Sequence, residues 1–212
     1  MARGRFITID GIEGSGKSTQ VALLADALRA RGGEVTVTRE PGGTPAGELI
    51  RAIFLDPGIS LEAAAELLLV LADRAQHVRE KLQVALRAGQ VVISDRYCDS
   101  TVAYQGYGRG LDLKLIHELN RFVSAGVTPD LTILLDCPPE IALARIKTRA
   151  TSAARAADRF EREQIDFHQR VREGFRAIAQ DEPSRVVLLD SSREPAAISA
   201  DILRLVIERV GL

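Results

Sequence analysis

Gly11-Ile12-Glu13-Gly14-Ser15-Gly16-Lys17-Ser18 is the stretch on which the fold turns. It fits the spacing G-x-x-x-x-G-K-[ST]. In that pattern glycines let the backbone curl until successive N–H groups point inward at phosphate, and a helix N-terminus adds partial positive charge. The lysine reaches the terminal phosphates and the final hydroxyl can ligate magnesium. These parts work only between a strand and a helix, and both flanks comply. Arg5-Phe6-Ile7-Thr8-Ile9-Asp10 reads as a short buried strand, while Thr19 to Ala30 carries apolar residues at helical spacing. The run Gly11 to Thr19 therefore predicts a cradle for a nucleoside triphosphate, with Lys17 on the terminal phosphates and Ser18 on Mg²⁺.

Outward from that loop, strand-like runs recur at Glu34 to Arg39, Gln90 to Asp95, Leu131 to Asp136 and Arg185 to Asp190, separated by helical segments. Such alternation predicts a parallel sheet with helices on both faces and right-handed crossovers. Active groups then gather beyond the carboxyl ends of the strands, which here read Asp10-Gly11, Arg39-Glu40, Asp95-Arg96, Asp136 and Asp190. Thr44-Pro45 reads as an N-cap followed by a first-turn proline, opening a helix to about Leu55 that Asp56-Pro57-Gly58 stops. The longest helical segment spans Leu61 to Ala88. Its centre, Leu67-Leu68-Leu69-Val70-Leu71, is apolar all round, which predicts burial on more than one side, by the core and by a second subunit. The small-residue, arginine-punctuated run from Thr148 to Ala157 reads as a mobile lid at about 148–158. Asp158-Arg159-Phe160-Glu161 after it reads as a capping box opening the next helix.

Composition sets the limits. A chain of 212 residues suits one α/β domain, and 28 Lys+Arg against 29 Asp+Glu leave a net charge of −1, no field for nucleic acid or an anionic membrane. Polyphosphate must be held by local charge. Cys98 and Cys137 have neither disulfide-framework nor zinc-site spacing. No signal peptide is visible, and no apolar run approaches the ~18 residues of a membrane span, so a soluble, cytoplasmic protein is expected.

A phosphate cradle does not name the acceptor; three further motifs bear on it. Thr38-Arg39-Glu40-Pro41-Gly42-Gly43-Thr44 places glycines and the Arg39 fork at the end of the second strand. Asp95-Arg96-Tyr97 pairs a carboxylate able to hold hydrated Mg²⁺ with a guanidinium able to hold phosphate. Ala72-Asp73-Arg74-Ala75-Gln76-His77 adds another arginine on the long helix.

Together with Asp95 to Gly110, these pieces resemble the thymidylate kinases, which phosphorylate dTMP to dTDP with ATP and Mg²⁺. The resemblance implies a three-layer P-loop fold with a five-stranded parallel sheet of order 2-3-1-4-5, and a homodimer through the Leu61–Ala88 helix. It implies that Glu13 accepts from the acceptor's 3′-OH, that Arg39 and Arg96 hold its phosphate and that Arg74 faces base and phosphate. Thr101 and Gln105 would bond the thymine edge with Ser100 as neighbour, and Tyr104 would crowd the sugar's 2′ position. Gly11, Ile12, Glu13, Gly14, Ser15, Gly16, Lys17, Ser18, Thr19 and Arg145 would bind ATP, Ser18 and Asp95 the metal.

Two departures stand out. Val70 occupies a position where the family commonly has a phenylalanine stacked on the thymine. Gly14 occupies one where some relatives carry an arginine; the chain resembles instead the bacterial type, whose lid supplies that charge. Arg149 and Arg155 are the expected lid donors, with Lys17 and Arg96 the other catalytic groups, and Arg145 and Arg159 further basic neighbours. Two rival readings remain: another nucleoside monophosphate kinase of this fold, and an NTP-driven switch, for which the chain lacks an Asn-Lys-x-Asp motif.

Overall fold

The computed structural model describes residues 3–153 and 158–212, with backbone alone over 149–153. Five parallel strands, β1 (Arg5–Gly11), β2 (Val35–Arg39), β3 (Val91–Asp95), β4 (Leu131–Asp136) and β5 (Val186–Asp190), form one sheet in the order β2-β3-β1-β4-β5. Every strand falls within a residue of the run read from the sequence, because each is a short Val/Ile/Leu-rich segment closed by a charged residue. Register is set along the centre, with Ile7 opposite Ile93 and Leu131, and Ile9 opposite Asp95 and Ile133.

The alternation of β1 explains the layers. Ile7 and Ile9 point to the face covered by α1 (Lys17–Ala30) and α9 (Pro195–Val210), where they meet Val21, Leu24, Leu28, Ile198, Ile202 and Val206. Phe6, Thr8 and Asp10 point the other way. That opposite face is covered by α3 (Ala63–His77), α4 (Gln83–Arg87), α5 (Cys98–Thr101), α6 (Leu113–Ser124) and α8 (Ile165–Asp181), while α2 (Pro45–Leu55) packs on α3. The seventh helix, α7 (Pro139–Ala153), leaves the end of β4. Among the described residues no helix is long and apolar enough to cross a membrane.

Local readings meet specific atoms. Thr44 Oγ1 accepts from Gly47 N at 3.0 Å, capping α2, which carries proline at its start and ends at Leu55. The long helix begins at Ala63 and is not uniform: Val78–Leu82 widens to π-type turns between α3 and α4. Within one chain its apolar centre is enclosed on one side, for Leu67, Val70 and Leu71 are buried while Leu68 is 62% exposed. The capping box closes, with Asp158 N donating to Glu161 Oε2 and Glu161 N to Asp158 Oδ1, each at 3.0 Å. It caps an isolated turn, however; the next helix opens only at Ile165, after Gln164. The lid run falls partly on α7, which continues to Ala153, and partly on 154–157, outside the described residues.

Candidate active site

The phosphate loop joins β1 to α1 with Gly14 at φ +75° and Gly16 at φ +97°, the left-handed region that favours glycine. Gly16 is the N-cap of α1 and offers no side-chain bond to the first turn, so the helix end is open to an anion. A Cβ on Gly14 would sit 2.2 Å from the carbonyl oxygen of Ala142 in α7. That contact is the physical reason this chain has no room for an arginine there. Lys17 is nearly buried, and its Nζ donates to Ile12 O at 2.8 Å. Burial first, and the Arg96 charge second, push its pKa down to about 8. Ser18 Oγ donates to Asp95 Oδ2 at 2.9 Å, so the two groups expected to hold the metal share one spot at the mouths of α1 and β3.

Arg96 joins the loop to the rest of the site. It follows β3 with φ +74°, a backbone state a non-glycine residue keeps only when its surroundings enforce it. The enforcing bonds are visible. Arg96 N donates to Ile9 O at 3.1 Å, Nη1 to Gly11 O at 3.0 Å and to Ser100 Oγ at 2.9 Å, and Nη2 to Glu13 Oε1 at 2.7 Å. Its guanidinium also lies 4.8 Å from the centre of the Tyr104 ring, whose hydroxyl donates to Glu13 Oε2 at 2.6 Å. Burial opposes the Glu13 charge, yet Arg96 and Lys17 hold its carboxyl below the usual range. Asp10 lies beneath: Oδ1 accepts from Ser100 Oγ, Oδ2 has no partner, and burial followed by nearby Asp99 pushes its pKa up to about 7.

A cavity of about 420 Å³ extends from Gly14, Lys17 and Ser18 past Arg96, Ser100 and Tyr104 to Val70, Arg74, Thr101 and Gln105. That volume suits a nucleotide-sized ligand. The structure thus brings together Glu13, Arg39, Val70, Arg74, Arg96, Ser100, Thr101, Tyr104 and Gln105 around one space. Arg74 is wholly buried and held on three sides, by Glu40 at 2.8 Å, Asn120 at 2.6 Å and Thr101 at 2.9 Å. Arg39 remains half exposed at the rim, its Nη2 2.8 Å from Glu48 Oε2.

The basic residues beyond the loop separate. Arg145 Nη1 donates to Ser191 O at 3.0 Å, and the residue is not among those lining the cavity. Arg159 turns inward, bonding Phe54 O at 3.0 Å and Glu66 Oε2 at 2.6 Å with its guanidinium 4.6 Å from the Phe160 ring. Arg149 lies where backbone alone is described, and Arg155 lies outside the described residues.

Comparison with known proteins gives the arrangement its family. The thymidylate kinase family model matches residues 9–202, spanning the loop, the cavity, α8 and the first half of α9. The chain belongs to the thymidylate kinase family. The reaction of that family is the phosphorylation of dTMP to dTDP by ATP. Among the relatives, a thymidylate kinase of Solidesulfovibrio magneticus is 54% identical over 92% of this chain and 94% of its own length. One from Deinococcus radiodurans is 48% identical over 99% of both chains. In three dimensions, the crystal structure of thymidylate kinase from Ehrlichia chaffeensis superimposes with a TM-score of 0.77 at 34% identity, covering 96% of this chain and 99% of that one.

Several groups at this thymidylate kinase site escape a reading of the sequence. Phe54, at the end of α2, and Phe160, in the capped turn, both line the cavity, with ring centres 5.1 Å apart. They supply aromatic surface near Val70, and only the folded chain brings them there. Arg51 also lines it, its Nη1 donating to Pro41 O at 2.9 Å, two turns beyond the Thr44 cap. His168 is buried with neither ring nitrogen hydrogen-bonded and Nδ1 3.8 Å from Glu13 Oε2. No motif marks it. Tyr104 and Gln105 stand on a π-type stretch, Val102–Gly108, whose wider turns aim both side chains at the cavity.

Proposed function

We propose that ATP binds with its phosphates over Gly11 to Thr19, that dTMP fills the cavity between Arg96 and Gln105, and that the γ-phosphoryl passes directly between them. The observation carrying this reading is Arg96. One guanidinium touches the loop carbonyl of Gly11, the loop carboxylate of Glu13 and the acceptor-side hydroxyls of Ser100 and Tyr104. It is the hinge between the two phosphate sites.

The acceptor phosphate is already an anionic nucleophile, so no strong general base is required. Catalysis rests on alignment and on stabilising charge that spreads over the equatorial oxygens in a loose transition state. Lys17 exchanges Ile12 O for a phosphate oxygen and gains a proton-retaining anion beside it. Arg96 and Arg39 hold the dTMP phosphate in line, and Glu13 takes the 3′-hydroxyl. Thr101 and Gln105 meet the thymine edge, and the Tyr104 ring limits the sugar's 2′ side. The hydroxyl of Ser18 and the carboxylate of Asp95 form a hard, all-oxygen pair. That pair suits Mg²⁺, which needs few protein ligands beside phosphates and water. Held by Ser18 and Asp95, Mg²⁺ would supply charge neutralisation to the donor's phosphates. Arg149 and Arg155 contribute lid charge from the 148–158 segment, whose closure excludes water.

The enzyme works as a cytoplasmic homodimer, through the face where α3 presents Leu68 and its neighbour α2 presents Leu49, 72% exposed, and Ile53, 43% exposed. Exposed apolar groups on two packed helices are an economical subunit contact. Side-by-side assay of monophosphates tests the acceptor: kcat/KM for dTMP exceeds that for dUMP, CMP, AMP and GMP. Equal or higher values for any of them would return the choice to another monophosphate kinase.

A further inference from the structure

Gln105 reaches the cavity through an amide whose two ends look alike in shape and opposite in chemistry. Its Nε2 donates to Glu66 Oε1 at 2.6 Å. Glu66 is wholly buried in the first turn of α3, and its carboxylate is also gripped by Arg159 Nη1 at 2.6 Å and Arg109 Nη2 at 3.1 Å. A carboxylate held between two guanidiniums accepts hydrogen bonds and offers none. Facing it, Gln105 has one choice: the NH₂ turns to Glu66 and the carbonyl oxygen is left for the cavity. Among the described residues nothing donates to that oxygen. Arg74 lines the same cavity, and its guanidinium has five N–H groups, three of them engaged by Glu40, Asn120 and Thr101.

The cavity lining therefore combines an acceptor, from Gln105, with donors, from Arg74. An imide edge matches it, with N3–H donating and C4=O accepting. Cytosine reverses both, offering a bare N3 and an amino group. We infer that Glu66, which no expectation placed in the site, is a specificity-determining residue: by fixing the Gln105 amide it makes the cavity select thymine and uracil over cytosine. It is a positioning residue, acting through Gln105, and the inference rests on the reading of the cavity as the dTMP site.

Glu66→Gln is the sharp test. Arg109 and Arg159 claim the new amide's oxygen, its NH₂ then faces Gln105, and Gln105 turns its carbonyl inward and its NH₂ to the cavity. The ratio of kcat/KM for dTMP over dCMP falls by on the order of 10–100-fold, while the ratio of dTMP over dUMP, which share the imide edge, holds. Glu66→Asp, still acceptor-only, keeps the wild-type ratio, and in a Gln105→Ala background Glu66→Gln no longer moves it. General damage to the fold would lower all substrates together. A dTMP:dCMP ratio unchanged in Glu66→Gln overturns the inference and leaves the dTMP reading standing. A wild-type enzyme without preference for dTMP over dCMP overturns that reading and the inference with it. Should Glu66→Gln not fold, NMR of wild-type protein labelled with ¹⁵N in glutamine side chains decides: the Gln105 NH₂ shows no contacts to bound dTMP, and such contacts would refute the assignment.

Discussion

Replacing Gly14 by alanine probes the seam between the phosphate loop and α7, with Gly16→Ala as its internal control. Both glycines have left-handed backbones, at φ +75° and φ +97°. Alanine in that region costs about 1–2 kcal/mol. The positions differ in space. A Cβ at Gly16 meets nothing within 4 Å, whereas at Gly14 it comes to 2.2 Å from Ala142 O and 2.8 Å from Ala142 C. These are backbone atoms of a helix and cannot rotate away, so α7 must retreat by roughly 1 Å, at a further cost of about 1–3 kcal/mol. Gly16→Ala should lose about 1–2 kcal/mol and Gly14→Ala about 2–5 kcal/mol. Urea unfolding of the ligand-free protein, fitted with a common slope, reads the difference directly. If Gly14→Ala proves no less stable than Gly16→Ala, the loop does not rest on α7 and the account of why this chain has a glycine there is wrong.

Three other outcomes are expected. Lys17 titrates near 8 in the free protein, and a bound polyphosphate favours its charged form, so ATP binding at pH 8.5 takes up roughly 0.5–0.8 of a proton. Calorimetry in buffers of differing ionisation enthalpy measures this, and no uptake, or proton release, would contradict the contact. Val70→Phe adds an aromatic face to a cavity wall and tightens dTMP binding by about 0.5–1.5 kcal/mol; unchanged or weaker affinity by calorimetry would displace Val70 from the base. Arg149→Ala or Arg155→Ala lowers kcat far more than it raises the dissociation constant for dTMP, and full turnover in both would remove the lid arginines from the mechanism.

What was legible in the sequence was what short-range chemistry encodes. The glycine spacing, the flanking strand and the charged strand ends gave β1 through β5 almost to the residue, and Thr44-Pro45 gave α2 with its cap. The site residues that belong to motifs, such as Glu13, Arg96 and Tyr104, proved to be neighbours. Less was readable where geometry depends on distant chain. Phe54 and Phe160 meet across more than a hundred residues, and Glu66 acquires its role only when Gln105, Arg109 and Arg159 converge on it. The π-type turns at Val78–Leu82 and Val102–Gly108 left no signal in the apolar periodicity, which tolerates one wide turn. The Asp158 box was readable as a cap but not as the cap of an isolated turn, since the residues that open α8 lie six positions further on.

The central claim is that both phosphates meet over one loop and that the phosphoryl group moves once, with no stop on the protein. The most direct measurement is the stereochemical course at phosphorus, using ATP made chiral at the γ-position with oxygen isotopes and dTMP as acceptor. A single in-line displacement predicts dTDP with inverted configuration. Retained configuration, or ATP consumed without dTDP, would contradict it.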